Sequence, residues 1–473
     1  CIRLAAFFIP LLISYPFFKP CKIVWYKWFK WTLSRNGACF IKLGQWLATQ
    51  TSIVGKDFAR ILCDLHDSAY VHIMDEKAIL GIKGLINVAV KPIGAGCIAQ
   101  VHKGVWNADG VLQEVAVKIR HPKVYENVVC DLTIIYEAFK ILEKLPIIQS
   151  ILRKEQILVF GKSMMEQIDL RNEAAHMNIF RENFRKEKDV SFPRILYCDK
   201  STIVESFEPG TSLMQLKEHL DEEAKEKIVF KTLKAFIKMS IVDNFTHGDL
   251  HPGNILIRFQ LKRAKKFWNR FWDVKSIPFF DFCGEMDAMP LPFAKPRLQE
   301  TLESPKEIET GLEKYPKDYE PCLVILDTGL VTRLEQEQYT NLLLLFYSLI
   351  LEKNSENAAN LILRQAHQGD CPNISHFLVE MPILIDRHLR NGAVPDMTDI
   401  LGEVVSIVRK SGVVLDDKFL GLLIGYLVLQ WVGTDIARGV DVKDVARSVH
   451  DEYLCNHKPW IKIIEEKYSQ KLI

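Results

Sequence analysis

Hydrophobic positions change their period several times along the chain. Residues 4–18, LAAFFIPLLISYPFF, are continuously apolar, and Pro10 and Pro16 interrupt them. The run falls short of the ~20 residues that span a bilayer. The following stretch sets Trp25, Trp28 and Trp31 at i, i+3, i+6 with lysines between them. Rings and cations so interleaved suit either a membrane interface or an amphipathic helix packed on its own domain. Residues 36–66 read as helix. Alternating, β-branched residues predict strands over 88–105 and 111–120, joined by a turn in NADG at 107–110. A long helical stretch follows over 125–186, then short strands over 192–208. A helix is expected over 221–243 and a strand–loop–strand over 245–258. Residues 259–321 lose periodicity and read as a surface insertion, whose basic-aromatic part KRAKKFWNRFW suits a solvated loop or a membrane or partner contact. A strand and tight turn over 323–331 precede a helical remainder, 334–473. Within it, FLGLLIGYLVLQWVG at 419–433 reads as a buried core helix rather than a span.

Composition narrows the class. The chain has 473 residues, 48% of them hydrophobic and 25% charged, which excludes disorder as its main theme. Its 61 basic and 59 acidic residues leave a net charge of +2, so no global field points to nucleic acid. The charge is uneven, however. Arg3, Lys19, Lys22, Lys27, Lys30, Arg35, Lys42 and Lys56 all precede the first acidic residue, Asp57. The sequence begins at Cys1, so a fragment or processed form is expected, with any targeting peptide upstream. The 11 cysteines are scattered without zinc spacing and read as reduced thiols.

Four strings in a fixed order carry chemistry. PIGAGCIAQVHKG at 92–104 puts Gly94, Ala95, Gly96 and Cys97 in a turn, with Val101 on the strand after it. Small residues there let backbone N–H groups approach a phosphate. VAVK at 115–118 places Lys118 on a strand, where it suits nucleotide phosphates. Either string alone is equally a plain hairpin turn or a solvated lysine. THGDLHPGN at 246–254 is far more specific: Asp249 suits an acceptor hydroxyl, and Asn254, five residues on, suits a metal. LDTG at 326–329 sets Asp327, a second metal-binding candidate, after an apolar strand. Hard oxygen ligands of this kind suit Mg²⁺. Together the strings describe phosphoryl transfer, which needs positioning and charge neutralisation more than covalent chemistry.

With two further strings the chain resembles the UbiB or AarF-domain atypical kinases from about residue 36 to its C-terminus. One is Lys42-Leu43-Gly44-Gln45; the other is Gln167-Ile168-Asp169, followed by Glu173-Ala174. The resemblance implies an α+β, bilobal protein-kinase-like fold with a mainly helical C-lobe. A membrane-proximal segment is expected at 1–35, an N-terminal helical extension at 36–88, the N-lobe at 89–208 and the C-lobe at 209–473. It implies that the helix carrying Lys42 and Gln45 lies over the active site, and that Glu173 pairs with Lys118. Gln167 departs from the family's usual Glu and withdraws a carboxylate from that network. The glycine-containing loop departs from an alanine-rich one, and unimpaired nucleotide binding is expected of it. ATP or ADP and Mg²⁺ are the implied cofactors. Membrane lipid and coenzyme Q biosynthesis proteins are the implied partners, at the mitochondrial inner membrane. Two other functions compete: a small-molecule phosphotransferase, and a nucleotide-binding scaffold with weak turnover.

Overall fold

The structure is a computed structural model. It describes residues 2–14, 22–49, 56–63, 65, 71–73, 79–143, 154–216, 218–261, 319–366, 373–390 and 439–455, with individual residues between 403 and 437. Among the described residues, four helices open the chain: α1 (Ile2–Ser14), α2 (Lys22–Arg35), α3 (Ala38–Thr49) and α4 (Lys56–Cys63). They pack around Leu33, Phe40, Ile41, Leu62 and Leu65. Trp25 does not face outward as part of a tryptophan stripe. It is buried, its indole N–H donates to the Leu11 carbonyl at 3.0 Å, and its ring lies against Phe29 and Phe58. The i, i+3 spacing placed one ring on the face that the other helices claim.

The N-lobe is a five-stranded antiparallel sheet in the order β1-β2-β3-β6-β5. Its strands are β1 (Leu85–Ala95), β2 (Ala99–Ala108), β3 (Val111–Arg120), β5 (Ile195–Cys198) and β6 (Thr202–Ser206). The stretch expected as strand over 88–105 is two strands folded back on each other at the glycine turn, with Gly94 opposite Val101 and the turn at 96–98. The NADG turn holds as expected: Gly110 N–H donates to the Asn107 side chain at 2.7 Å. Val115, Val117 and Val204 pack on one face of the sheet with Val88 and Leu85. The alternate residues of β3 and β6 therefore face the cleft.

The helices α5 (Val124–Leu142), α6 (Lys154–Ile168) and α7 (Leu170–Asn183) follow; α5 and α6 pack with Cys39 of α3, and α7 lies on the cleft face, with Leu170 and Ala174 against Ile203. Asp169 caps α7, accepting the Arg171 N–H and pairing with its guanidinium at 2.6 Å. The C-lobe is built on α8 (Glu222–Ile237), α9 (Gln336–Tyr347), α10 (Ser355–Leu363), α11 (Ile374–Arg390) and α12 (Val442–Val449). One large apolar core joins them, including Phe236, Leu344, Phe377 and Val445. Phe419 and Leu422, from the second apolar run, are buried in it; residues 426–433 of that run lie outside the described residues.

Two small sheets carry the C-lobe loops. β4 (Val190–Ser191), β7 (Thr211–Ser212), β9 (Ile255–Leu261) and β10 (Tyr319–Ile325) form one, and β8 (Thr246–His247) pairs with β11 (Val331–Thr332) in the other. Residues 262–318, most of the expected insertion, lie outside the described residues. Its two ends are adjacent: Leu261 is the antiparallel partner of Tyr319.

Candidate active site

Strand β3 delivers Lys118 to the cleft. Its ammonium lies 2.6 Å from Glu173 Oε1 and 3.4 Å from Asp327 Oδ1. The expected Lys118–Glu173 pair therefore forms, across 55 residues of sequence. Burial opposes the charge on Lys118, but Asp327 and Glu173 outweigh it and hold its pKa above the ordinary lysine value. Burial likewise opposes charge on Asp327. Lys118, Lys42 and the Gly329 N–H prevail and keep it well below the usual carboxylate range. Burial pushes Glu173 up to about 7, with Lys118 pulling against it and Asp327 adding to it.

The loops are sewn together locally. His247 Nδ1 accepts the Asp249 N–H at 3.1 Å. Burial holds His247 below its ordinary pKa. Asn254 donates to the Asp249 carbonyl at 3.2 Å, which leaves its Oδ1 as the ligand atom. Leu326 N–H donates to the Asn254 carbonyl at 2.9 Å, so the Asp249–Asn254 loop fixes the start of the LDTG segment. Asp327 has φ 52°, a left-handed conformation that Asp and Asn tolerate better than most residues. Thr328 is buried and donates its hydroxyl to the Glu173 carbonyl at 3.1 Å, and the Thr328 carbonyl meets His176 Nδ1 at 3.0 Å. Two bonds thus tie the Asp327 loop to the helix that holds Glu173.

Helix α3 does lie over this site. Lys42 reaches to 3.7 Å from Asp249 Oδ2. Burial works against its charge, but Cys97, Asp249 and Asp327 raise its pKa. Gln45 does not join it; its amide turns to the Leu65 carbonyl at 3.4 Å. Gly44 explains its own place in the string. A Cβ there would run into Leu65 and lie 2.7 Å from Leu33 Cδ1, both in the packed core of the extension. Gly44→Ala is expected to destabilise the protein by ~1–3 kcal/mol through overpacking. Chemical denaturation measures this, and a wild-type midpoint would show that the helices have slack.

Of the glycine turn, Cys97 is half-buried against the same core and faces Lys42 and Asp327. A Cβ on Gly94 would meet nothing within 4 Å, so no packing demands glycine and the space is left to a ligand. Val101 pairs with both Gly94 and Lys118 across the sheet. Gln167 is not part of the cluster. Its amide bonds back to Ser163 Oγ at 3.1 Å, within its own helix.

Sequence reasoning missed Glu205. It lies opposite Ala116 on β6, on the cleft face with Lys118. Burial, then Glu173, raise its pKa, to about 8, with Lys118 opposing. Period-2 alternation in TIVES was the available signal, because it sets Glu205 on the face opposite Val204. A folded-state pKa above the unfolded value means that this group's contribution to stability is full at low pH. It is lost as pH rises from the unfolded carboxyl range through about 8. Glu205→Gln is therefore expected to match wild type in melting temperature near pH ~4 and to exceed it increasingly toward pH ~8. A thermal melt series in metal-free buffer reads this; a constant difference would remove the burial argument.

The residues present fit a magnesium nucleotide. Among the described residues no three His, Cys, Asp or Glu side chains cluster as a protein-only metal site. Mg²⁺ ordinarily takes one or two carboxylates and completes its shell with water and substrate phosphate. Asp327, half-exposed to the cleft, and Asn254 supply that kind of partial set.

A strand lysine clamped by a helix glutamate, facing Asp249 and Asp327 across an interlobe cleft, makes this a kinase-like molecule. A family model described as the ABC1 atypical kinase-like domain matches residues 86–295. A probable serine/threonine-protein kinase, abkC of Dictyostelium discoideum, is 30% identical over 463 residues, covering 92% of this chain and 66% of that protein. A mitochondrial ABC1 family protein of Schizosaccharomyces pombe is 26% identical over 490 residues, covering 95% and 67%. A probable protein kinase UbiB of Vibrio cholerae is 24% identical over 237 residues, covering 48% and 43%. The chain spans about two thirds of the length of the first two relatives. The chain belongs to the ABC1 family of atypical kinases, the group that includes proteins named UbiB.

Proposed function

We propose that the protein binds MgATP and hydrolyses it or transfers its γ-phosphoryl, in support of mitochondrial lipid and coenzyme Q metabolism. The observation that carries the reading is Lys118 held between Glu173 and Asp327 at 2.6 and 3.4 Å. Lys118 binds and orients the nucleotide phosphates, and Glu173 keeps its ammonium aimed into the cleft. Asp327 and Asn254 hold Mg²⁺, which when bound neutralises charge on the phosphates. Asp249 receives the proton of the attacking hydroxyl or water. Lys42, 3.7 Å from that carboxylate, occupies the approach that a peptide acceptor needs. This favours water or a small or lipid acceptor over a protein.

The mitochondrial assignment rests on the name of the fission-yeast relative and on family membership. Membrane contact rests on the outer face of the first two helices, where Ile9, Ile13, Ile23, Val24 and Trp31 are exposed beside Lys22 and Lys27. Among the described residues no helix is long and apolar enough to cross a membrane, so contact here means an interfacial face. A scaffold with little turnover is the second reading, favoured by the diversion of Gln167 to Ser163. The test is ATP hydrolysis by the whole chain with and without cardiolipin-containing liposomes, beside a thermal shift with MgATP. Turnover that rises with liposomes supports the enzyme. A MgATP shift without turnover supports the scaffold, and neither effect sinks both.

A further inference from the structure

Behind the glycine turn runs a chain of polar side chains, buried at Gln100, His102 and His121 and half-buried at His72, that the reaction described above does not use. His121 follows β3, and its Nε2 lies 2.9 Å from the Gly96 carbonyl. A carbonyl only accepts, so Nε2 carries the proton and Nδ1 is an acceptor. That Nδ1 meets His72 Nδ1 at 2.7 Å, so His72 donates. His72 is fixed by its own backbone. Its N–H donates to Gln100 Oε1 at 3.0 Å, and its carbonyl accepts from Gln100 Nε2 at 3.0 Å. The second Nε2 proton of Gln100 goes to His102 Nε2 at 2.9 Å, and His102 Nδ1 donates to the Ala89 carbonyl at 2.7 Å. One set of neutral tautomers makes each of these bonds a donor–acceptor pair. Burial, which holds His72 and His121 below the ordinary histidine pKa, agrees with that set.

The chain ends on the glycine turn, at the Gly96 carbonyl. In a trans peptide the C=O and N–H point in opposite directions, and the described residues contain no cis peptide. Drawing the Gly96 carbonyl toward His121 therefore aims the Cys97 N–H away from it. That side is the cleft, where the Cys97 side chain packs against the core of the N-terminal helices that carry Lys42. The rest of the turn is held to match. His121 N–H donates to the Ile98 carbonyl at 2.9 Å, and Gly96 N–H to the Ala99 carbonyl at 2.8 Å. Gly96 has no Cβ to resist a flip of the following peptide, so the bond to His121 is what selects its orientation.

We propose that His121, oriented by His72 and Gln100, is a positioning residue that holds the Gly96–Cys97 peptide with its N–H turned to the nucleotide phosphates. The inference rests on the MgATP reading and names the backbone donor that reading requires. A backbone N–H on a phosphate oxygen is a charge-assisted bond. Its loss is expected to show in phosphate-bearing ligands only.

The experiment measures equilibrium binding of MgATP and of adenosine to the whole chain, in wild type, His121→Ala, His121→Asn and His121→Gln. Gln places its amide nitrogen where Nε2 stands; Asn does not reach. MgATP affinity is expected to fall about tenfold in the Ala and Asn variants and to return in Gln, with adenosine affinity unchanged throughout. Wild-type MgATP affinity in His121→Ala overturns the inference, and so does a parallel loss of adenosine binding, which marks general damage. If His121→Ala does not fold, His72→Phe, which removes the donor to His121 Nδ1, is expected to weaken MgATP about threefold and leave adenosine alone. No weakening there counts against the inference equally. Failure of wild type to bind MgATP at all removes the nucleotide reading itself, and is a different result from binding that ignores His121.

Discussion

Asp327→Asn is expected to abolish magnesium-dependent ATP turnover, by about 10²-fold or more, while the protein stays folded. Both halves of that expectation come from the site. Asn is nearly isosteric, and it is one of the few residues that accept the left-handed φ of 52° at this position. Its side-chain oxygen can still receive the Gly329 N–H, which now lies 3.2 Å from Oδ1. What it lacks is the negative charge that Lys118 and Lys42 hold so firmly in place. Without it the cleft keeps its shape and loses its strongest metal ligand. Steady-state hydrolysis over a magnesium titration reads the effect, with a melt in the absence of nucleotide as the folding control. A wild-type rate at saturating Mg²⁺ would remove Asp327 from the metal assignment.

Lys118→Met is expected to produce the largest loss of stability. The ammonium is the shared partner of Glu173 and Asp327, and Glu173 is almost fully buried. Taking away one member of a buried ion pair leaves its partner's charge uncompensated, at a typical cost of ~3–5 kcal/mol. Two carboxylates face the vacancy here, so protonation is their way out and the destabilisation grows as pH rises from ~4 to ~8. The double variant Lys118→Met/Glu173→Gln removes the stranded charge as well. It is expected to recover at least ~1 kcal/mol relative to the sum of the single changes. Chemical denaturation of the four species at neutral pH closes the cycle. Strict additivity would mean that the pair is spectator to folding. Nucleotide affinity does not recover in the double variant, because the phosphate contact is gone in both.

Much of this site was legible because short motifs fix local chemistry. Asp249 and Asn254 share one loop, so their spacing put them within reach of each other, and Asp327 was placed with them by the order of the motifs. Lys118 and Glu173 stand 55 residues apart, and their pairing came from resemblance. What escaped were contacts made between elements. Nothing in the string QVH announces that Gln100 and His102 bond to each other while Gln100 also grips His72. Nor does LDTG announce that the Thr328 hydroxyl bonds to the Glu173 carbonyl. Gln45 shares a helix with Lys42, yet its amide turns to the Leu65 carbonyl and only Lys42 reaches the cleft. The tryptophan stripe left two readings open for a related reason. Helical spacing says which residues share a face and is silent on what that face meets. Trp25 met Leu11, Phe29 and Phe58. At the level of the fold, the strand reversal at 96–98 was legible in the glycine turn and not in alternation, which β1 with its register shifts does not keep.

The pairing of Leu261 with Tyr319 has a consequence of another kind. Two chain ends that neighbouring strands already hold side by side need no further ordering to be joined. The entropy of closing whatever connects them grows only with the logarithm of its length, about 0.6 kcal/mol per doubling. The strands β9 and β10 reach from that edge to Asn254 and to Leu326, so they insulate the catalytic loops from the connection's size and composition. This edge is the molecule's expansion joint, and a fluorophore or an affinity handle grafted there is expected to leave the geometry around Asn254 and Asp327 unchanged.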